Sequence, residues 1–156
     1  MTTIDEIPVA HTPPGGYGGT MPPPILGGCD EPLPDAAPDL RGMWQVVTVE
    51  VDGHAVGDHP MLGHRQRVEQ AGDRLVVTAG GVIHDMRCDG TLDHGVHDVG
   101  PDYETPIHVV ASYEDGVHVL RPDGLPVEVT RRRDGEQTVW TYGPMFTARL
   151  DRIAGG

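Results

Sequence analysis

The sequence predicts an all-β protein, an antiparallel up-and-down β-barrel of about 8–10 strands that follows an irregular N-terminal arm. Three observations predict this fold. The 156 residues include 22 glycines and 15 prolines, a content that argues against long helices and favours short strands and tight turns. Asp-Gly dipeptides, a strong hairpin signal, recur along the chain. The segments between them are rich in Val, Ile and Thr, which favour strands.

Residues 1–40 differ from the rest and form the predicted arm. Nine of the 15 prolines lie here, and neither a helical nor a strand period is present. A disordered tail is one interpretation. Against it stand the apolar side chains of the segment, which are Ile7, Val9, Tyr17, Met21, Ile25 and Leu26. We therefore expect an arm that packs on the barrel or on a neighbouring subunit, and the predicted partners include a homo-oligomer or a larger protein that the arm contacts.

Residues 41–153 carry the strand pattern and form the predicted barrel domain. Turn dipeptides divide this region into about ten short strands, and they are Asp52-Gly53, Gly72-Asp73, Asp89-Gly90, Asp115-Gly116, Asp123-Gly124 and Asp134-Gly135. One segment, residues 54–64, has room for a short helix or a lid. Sequential hairpins without a βαβ signature predict an up-and-down sheet, and closure into a barrel would remove its exposed edges.

Charge and composition exclude several functions. The formal net charge is −13, with 24 acidic against 11 basic residues, and every basic residue is arginine. Nucleic-acid binding is not expected, because contacts to phosphates need a basic patch. The basic run 131–133 stands next to Asp134-Gly135 and is interpreted as a hairpin end. Schiff-base chemistry is excluded because there is no lysine, and a serine hydrolase is disfavoured because Ser112 is the only serine.

The expected location is the reducing cytoplasm. The N-terminal sequence MTTIDEIPVA has neither the basic nor the apolar region of a signal peptide. No apolar run approaches the length of a membrane span, so no membrane association is expected. Cys29 and Cys88 lie far apart in unlike contexts, and we expect both to be free thiols.

The start of the predicted barrel resembles a known family. Gly42-x-Trp44 at the beginning of the first strand resembles the lipocalin signature, and the count of about ten strands is closer to the fatty-acid-binding-protein-like members of the same calycin group. The resemblance implies that Trp44 plugs one end of the barrel and that an arginine near the last strand, Arg149 or Arg152, packs across it. It also implies a cavity for a small, largely apolar ligand.

Nine histidines are dispersed through the chain, most densely between residues 81 and 99. Alternation along a strand places Val82, His84, Met86 and Cys88 on one face and Ile83, Asp85 and Arg87 on the other. Three interpretations stay open. The residues are solvent-facing polar groups, or they form an acid–base site of His84 with Asp85 or Asp98, or they form a metal site.

The metal interpretation would use His84, His94 and either Cys88 or His97. Its weakness is the spacing of His94 and His97, which sends the two rings to opposite faces of a regular strand. No metal or cofactor is therefore predicted.

Two further histidines lie in apolar runs, His108 in PIHVVAS and His118 in GVHVLRP. If the larger apolar set of each strand faces inward, both rings point outward. Tyr113, Trp140 and Tyr142 are aromatic residues with polar atoms, which suit either core packing or a pocket wall.

The leading functional hypothesis is a cytoplasmic barrel that binds a small hydrophobic or amphipathic molecule. The candidate ligand contacts are Trp44, Met86, Trp140 and Arg149. The alternative is a small-molecule enzyme of the isomerase, cyclase or dehydratase type, and its candidate catalytic residues are His84, Asp85, Tyr113 and Tyr142. A third hypothesis is an accessory subunit that docks on a larger partner through its N-terminal arm.

Overall fold

A computed structural model describes residues 2–154, and its regular elements are eleven β-strands. They are β1 (Gly42–Val51), β2 (His54–Ala55), β3 (Arg65–Ala71), β4 (Arg74–Ala79), β5 (Val82–Arg87), β6 (Val96–Val99), β7 (Pro106–Glu114), β8 (Val117–Pro122), β9 (Val129–Asp134), β10 (Gln137–Tyr142) and β11 (Phe146–Ile153). No helix occurs within residues 2–154, so the segment 54–64 consists of the short β2 and a series of turns. None of the described residues therefore forms a helix able to cross a membrane.

The strands form one antiparallel sheet in the order β5-β4-β3-β1-β11-β10-β9-β8-β7-β6, with β2 paired to β1 off this path. Strands that follow one another along the chain pair on this path, except that β5 does not pair with β6 and that β1 pairs with β11. The sheet curls into a nearly closed barrel with a seam between β5 and β6, the two ends of the path. The predicted all-β up-and-down barrel is thus confirmed.

Two of the Asp-Gly dipeptides form the tight turns that their composition predicts. Asp52 and Gly53 have φ angles of 53° and 78°, and Asp115 and Gly116 have φ angles of 50° and 81°. Positive φ at both central residues is the signature of a type I′ hairpin turn, whose twist matches that of the flanking strands. The second of these turns fixes the register of β7 against β8, which later determines the position of His118.

Trp44 on β1 is buried in the main core under an arginine. Its indole is 1% exposed, and Nε1 donates a hydrogen bond to the carbonyl of Leu40 at 2.8 Å. The guanidinium of Arg152 lies 4.6 Å from the centroid of the Trp44 ring, so Arg152 is the arginine that packs across it. Gly42 has a φ of 136°, and a Cβ at this position would lie 2.9 Å from Nε of Arg152. The Gly-x-Trp spacing therefore leaves space for the arginine.

The outer face of β3, β4 and β5 is covered by the N-terminal arm. Every residue of β4 is buried, because one face lines the barrel and the other lies under the arm. A second apolar core forms there, and its fully buried members are Ile4, Leu26, Ala71, Val76 and Ile83. The division of the chain into an arm of residues 1–40 and a barrel of residues 41–153 stays a proposal, since the arm packs as closely as a part of the barrel.

Hydrogen bonds to charged side chains fix the arm in place. Arg74 donates to the carbonyls of Ile4 and Ile7, both at 2.7 Å, and to that of Pro8 at 3.0 Å. Glu69 on β3 accepts bonds from the backbone N–H groups of residues 25 and 26 at 3.1 and 2.8 Å. These bonds satisfy backbone groups that an irregular buried segment would otherwise leave unpaired.

Candidate functional site in the barrel interior

Three interior residues stand directly opposite one another on adjacent strands. His118 on β8 pairs with Arg131 on β9, and Arg131 pairs with Trp140 on β10. We call these three residues the central row. Their side chains are buried, with 0%, 5% and 6% of each residue exposed. The ladder of three neighbouring hairpin strands thus places a cation, an imidazole and an indole side by side inside the barrel.

Arg131 is a buried cation without an acidic partner. Its Nε donates a hydrogen bond to Oε1 of Gln66 across the barrel at 3.2 Å, and its Nη1 has no partner. Within residues 2–154, no carboxylate oxygen lies within 4.0 Å of its guanidinium. The guanidinium carbon lies 5.3 Å from the centroid of the Trp140 ring. Burial lowers the pKa of Arg131 to about 10, so the group remains charged at neutral pH.

The other members of the central row also lack hydrogen-bond partners. Neither Nδ1 nor Nε2 of His118 has a partner, and the same holds for Nε1 of Trp140. Burial, followed by the charge of Arg131, lowers the pKa of His118 well below its ordinary value, so His118 is neutral. Buried polar atoms in native proteins are nearly always hydrogen-bonded. Within residues 2–154, unpaired atoms thus occur on three adjacent interior residues, which makes the central row the candidate site.

Aromatic rings form the wall of the barrel beyond the central row. Trp140 packs edge-on against Phe146 at a centroid distance of 5.1 Å, and Phe146 stacks on Tyr142 at 5.5 Å. Two histidines of the segment 56–64 reach these rings. His64 stacks on Trp140 at 5.6 Å, and His59 meets Phe146 edge-on at 5.3 Å. The segment 54–64 therefore contacts these aromatic rings through His59 and His64.

Most of the sequence-predicted site residues lie on the interior face. Trp44, Met86 and Trp140 belong to the main apolar core, and Tyr142 packs against it. Tyr113 accepts a hydrogen bond at its hydroxyl from Nε2 of Gln70 at 2.9 Å, and burial raises its pKa.

His84 also faces inward, where its Nε2 hydrogen-bonds the carbonyl of Val99 at 2.9 Å. Burial lowers the pKa of this imidazole. Its sequence neighbour Asp85 faces the opposite side of β5, as the strand alternation requires.

The structure corrects the placement of two predicted residues, Asp85 and Arg149. Asp85 lies under the arm and forms an ion pair with Arg74 at 2.6 Å, so it does not share a site with His84. Arg149 faces outward and pairs with Asp134 at 2.9 Å, because the residues of β11 that line the barrel are Phe146, Ala148 and Leu150. Neither side chain can contact a ligand in the interior.

The histidines between residues 81 and 99 do not converge. His94 is exposed on a loop, 2.6 Å from Asp89, whereas His84 lies inside the barrel. His97 and His108 meet on the outer surface, with their Nδ1 atoms 2.7 Å apart. Within the described residues, no group of three or more His, Cys, Asp or Glu side chains is arranged to hold a metal ion.

His118 faces inward, contrary to the expectation that both His108 and His118 point outward. The two-residue turn Asp115-Gly116 pairs Glu114 with Val117 and therefore Tyr113 with His118. Directly paired residues share a face, so His118 follows Tyr113 into the interior. The turn motif contained this signal, since a two-residue hairpin fixes the register of both strands.

Arg131 was missed because its run of three arginines suggests a solvated hairpin end. The run alternates like any strand, with Arg131 and Arg133 on the inner face and Arg132 outside. The guanidinium of Arg133 lies 5.3 Å from the Trp44 ring centroid. Val129 is buried on the same face and gives the only local indication that this face points inward.

An open groove of about 630 Å³ lies outside the barrel, between the arm and the loop that joins β5 to β6. Several of its charged side chains have partners, including Arg74 with Asp85 and His94 with Asp89. Among the described residues, the buried atoms without hydrogen-bond partners include atoms of the central row and none of the residues that line the groove. We therefore place the candidate site inside the barrel.

Together, the strand order and the stacking of Arg152 on Trp44 define an antiparallel up-and-down β-barrel with a buried polar row in its interior. Human cRBP IV, a cellular retinol-binding protein, has a similar structure with a TM-score of 0.54 and 14% sequence identity. The similarity covers 74% of this chain and 98% of the human one, and it concerns the fold. No protein-family model matches the chain. No curated protein matches its sequence.

Proposed function

We propose that the protein binds a small amphipathic molecule inside its barrel, with the anionic end of that molecule on the guanidinium of Arg131. The observation that carries the proposal is a buried arginine that has one side-chain hydrogen bond and no acidic partner. An unpaired buried charge is strongly destabilising. A ligand carboxylate would offset this cost through short, charge-assisted hydrogen bonds to the guanidinium.

The surroundings of Arg131 support an apolar remainder of the ligand. The main core of the barrel consists of buried apolar side chains such as Val46, Val77, Met86 and Val109. A hydrophobic lining with a few well-placed polar groups is the usual character of a small-molecule site. The similar human structure is by name a retinol-binding protein, which supports a ligand of this size class. The buried cation of Arg131 favours a ligand with an acidic head group.

Titration with two ligands of equal tail length tests the proposal. Dodecanoate and dodecan-1-ol differ only in the head group, and isothermal titration calorimetry measures both affinities. We expect dodecanoate to bind more tightly, because only the carboxylate can pair with Arg131. Substitution R131M should weaken dodecanoate binding by about 10- to 100-fold, the worth of a hydrogen bond to a charged group.

The neighbouring arginine provides the matched control. Arg132 is exposed on the outer face of β9, so R132M removes the same charge without touching the interior and should leave binding unchanged. The proposal fails if dodecan-1-ol binds as tightly as dodecanoate or if R131M and R132M behave alike. Native mass spectrometry of protein from its own host would then identify the co-purifying ligand class.

The alternative of an isomerase, cyclase or dehydratase has lost one of its two candidate carboxylates. The other, Asp98, still acts on His84 through its charge, and it accepts a hydrogen bond from the backbone N–H of Thr12 at 3.0 Å. Of the predicted catalytic residues, His84, Tyr113 and Tyr142 line the interior, but Asp85 lies outside the barrel in an ion pair with Arg74. The accessory-subunit alternative is weakened because Ile4 and Leu26 of the arm are buried on the same chain. A cytoplasmic location stays a proposal that the two free thiols support.

A further inference from the structure

His118 is the neutral neighbour of the unpaired cation. It lies directly opposite Arg131 in the ladder, and both of its ring nitrogens lack partners. The charge of Arg131 opposes protonation of the imidazole, as does burial. An anion bound to Arg131 would reverse the electrostatic part of this effect, because the anion cancels one positive charge and attracts a second.

The other titratable groups around His118 are uncharged near neutral pH. Tyr113 on β7 lies 6.0 Å from it between ring centroids, and burial raises the pKa of this phenol. Cys88 on the far side of Tyr113 has its pKa raised to about 12 by burial. The charge of Arg131 also acts on His84 on β5 and on His64 in the segment 54–64, and burial lowers the pKa of each. Arg131 is therefore the charge to which His118 responds.

We infer that an anionic ligand enters the central row together with one proton from solvent, which His118 accepts to form an imidazolium that pairs with the ligand. This inference rests on the proposed function. In the complex, two cations then flank one anion, and the ligand is held by N–H donors from two adjacent strands. In this step, the neutral imidazole of His118 takes up one proton from solvent, and the resulting imidazolium forms an ion pair with the bound anion.

The direction of the pH effect follows from linkage. Because the complex binds about one more proton than the free protein and free ligand, binding tightens as pH falls between the pKa of His118 in the complex and that in the free protein. Within that interval, the affinity rises by up to about tenfold for each unit of pH. Above the pKa of the complex, the affinity stops changing with pH.

Dodecane-1-sulfonate is the probe that tests the inference, because the sulfonate is anionic throughout the working range and brings no proton of its own. Calorimetric titration at pH 7 in phosphate and in Tris, which differ in ionisation enthalpy, gives the number of protons taken up. We expect an uptake of about 0.5 to 1 proton and tighter binding at pH 6 than at pH 8. H118Q should bind the sulfonate with neither effect.

A control variant and the wild-type measurement keep the outcomes distinct. His54 is exposed on β2, and H54Q should retain the full proton uptake. Binding of the sulfonate without proton uptake by the wild type overturns the inference and leaves the proposed function standing, even if H118Q fails to fold. Uptake that survives in H118Q also overturns it. Failure of every anionic amphiphile to bind overturns the proposed function itself.

Discussion

Two arginines of this protein are equally buried and have opposite surroundings. Arg74, on the outer face of β4, is 3% exposed, and Arg131, on the inner face of β9, is 5% exposed. Arg74 makes two hydrogen bonds to Asp85, at 2.9 and 2.6 Å, and three more to backbone carbonyls of the arm. Arg131 makes one, to Gln66.

The difference separates a structural arginine from the arginine for which we propose a binding role. A buried guanidinium with an ion pair and five hydrogen bonds is complete within the chain, and Arg74 connects the arm to the barrel. A buried guanidinium with unpaired donors is not satisfied within the described part of the chain, and this is the basis of the proposed ligand contact of Arg131. Buried polar groups that a fold leaves unpaired are typical of sites that sacrifice stability for function.

The largest expected effect on stability comes from breaking the buried ion pair of Arg74 and Asp85 under the arm. R74M would leave Asp85 as an unpaired buried carboxylate and would remove three bonds to the arm carbonyls. Breaking a buried pair by removal of one partner costs about 3–5 kcal/mol. We expect the free energy of unfolding, measured by urea denaturation, to fall by this amount.

Arg87 offers a control on the same sheet face. It pairs with Asp5 and Asp73, but its side chain is 29% exposed. Partly exposed ion pairs contribute at most about 1 kcal/mol, so R87M should be mild. If R74M and R87M lose the same free energy of unfolding, then the deeper burial of Arg74 and its bonds to the arm carbonyls add nothing to stability.

The second largest expected effect is a gain in the free energy of unfolding, caused by substitution of Arg131. R131M would replace an unpaired buried cation by an apolar side chain of similar length, and nothing in the described chain would lose an ionic partner. We expect the ligand-free protein to gain about 1–3 kcal/mol of stability, as other uncompensated buried charges do when replaced. Thermal unfolding of the ligand-free protein measures the change. A loss of stability would mean that Arg131 is a structural residue like Arg74.

The comparison also shows which features a sequence can reveal. The turn dipeptides and the alternation of apolar and polar residues were enough to predict the barrel, because hairpin turns and apolar strand faces are local signals. The sequence predicts that either Arg149 or Arg152 packs on Trp44. Only the register of β1 with β11, in which Trp44 lies opposite Arg152, distinguishes the two.

The candidate site was less accessible to prediction. Arg131 was misjudged because charged residues on strands normally face solvent. Asp85 was predicted to act with His84, although strand alternation places adjacent residues on opposite faces. Arg131 faces inward because Val129 and Trp140 share its side of the sheet, and Asp85 is buried because the arm covers it. Such long-range packing has no local signature, whereas the inward position of His118 was implied by the turn that precedes it.

The smallest expected effect concerns a third arginine, Arg152, which needs neither a carboxylate nor a ligand because it stacks on Trp44 and donates to the carbonyl of Arg41 at 2.8 Å. G42A would place a methyl group 2.9 Å from Nε of Arg152, at a φ of 136° that L residues rarely adopt. We expect a loss of about 1–2 kcal/mol in chemical denaturation, from backbone strain and displacement of the guanidinium. Gly19 is the matched control, because no atom lies within 4 Å of a Cβ added there and its φ is ordinary, so G19A should be neutral. If G42A leaves the free energy of unfolding unchanged, the guanidinium of Arg152 can move aside without cost, and its stacking on Trp44 does not contribute to stability. The contrast between Arg74 and Arg131 would then depend on hydrogen bonding alone.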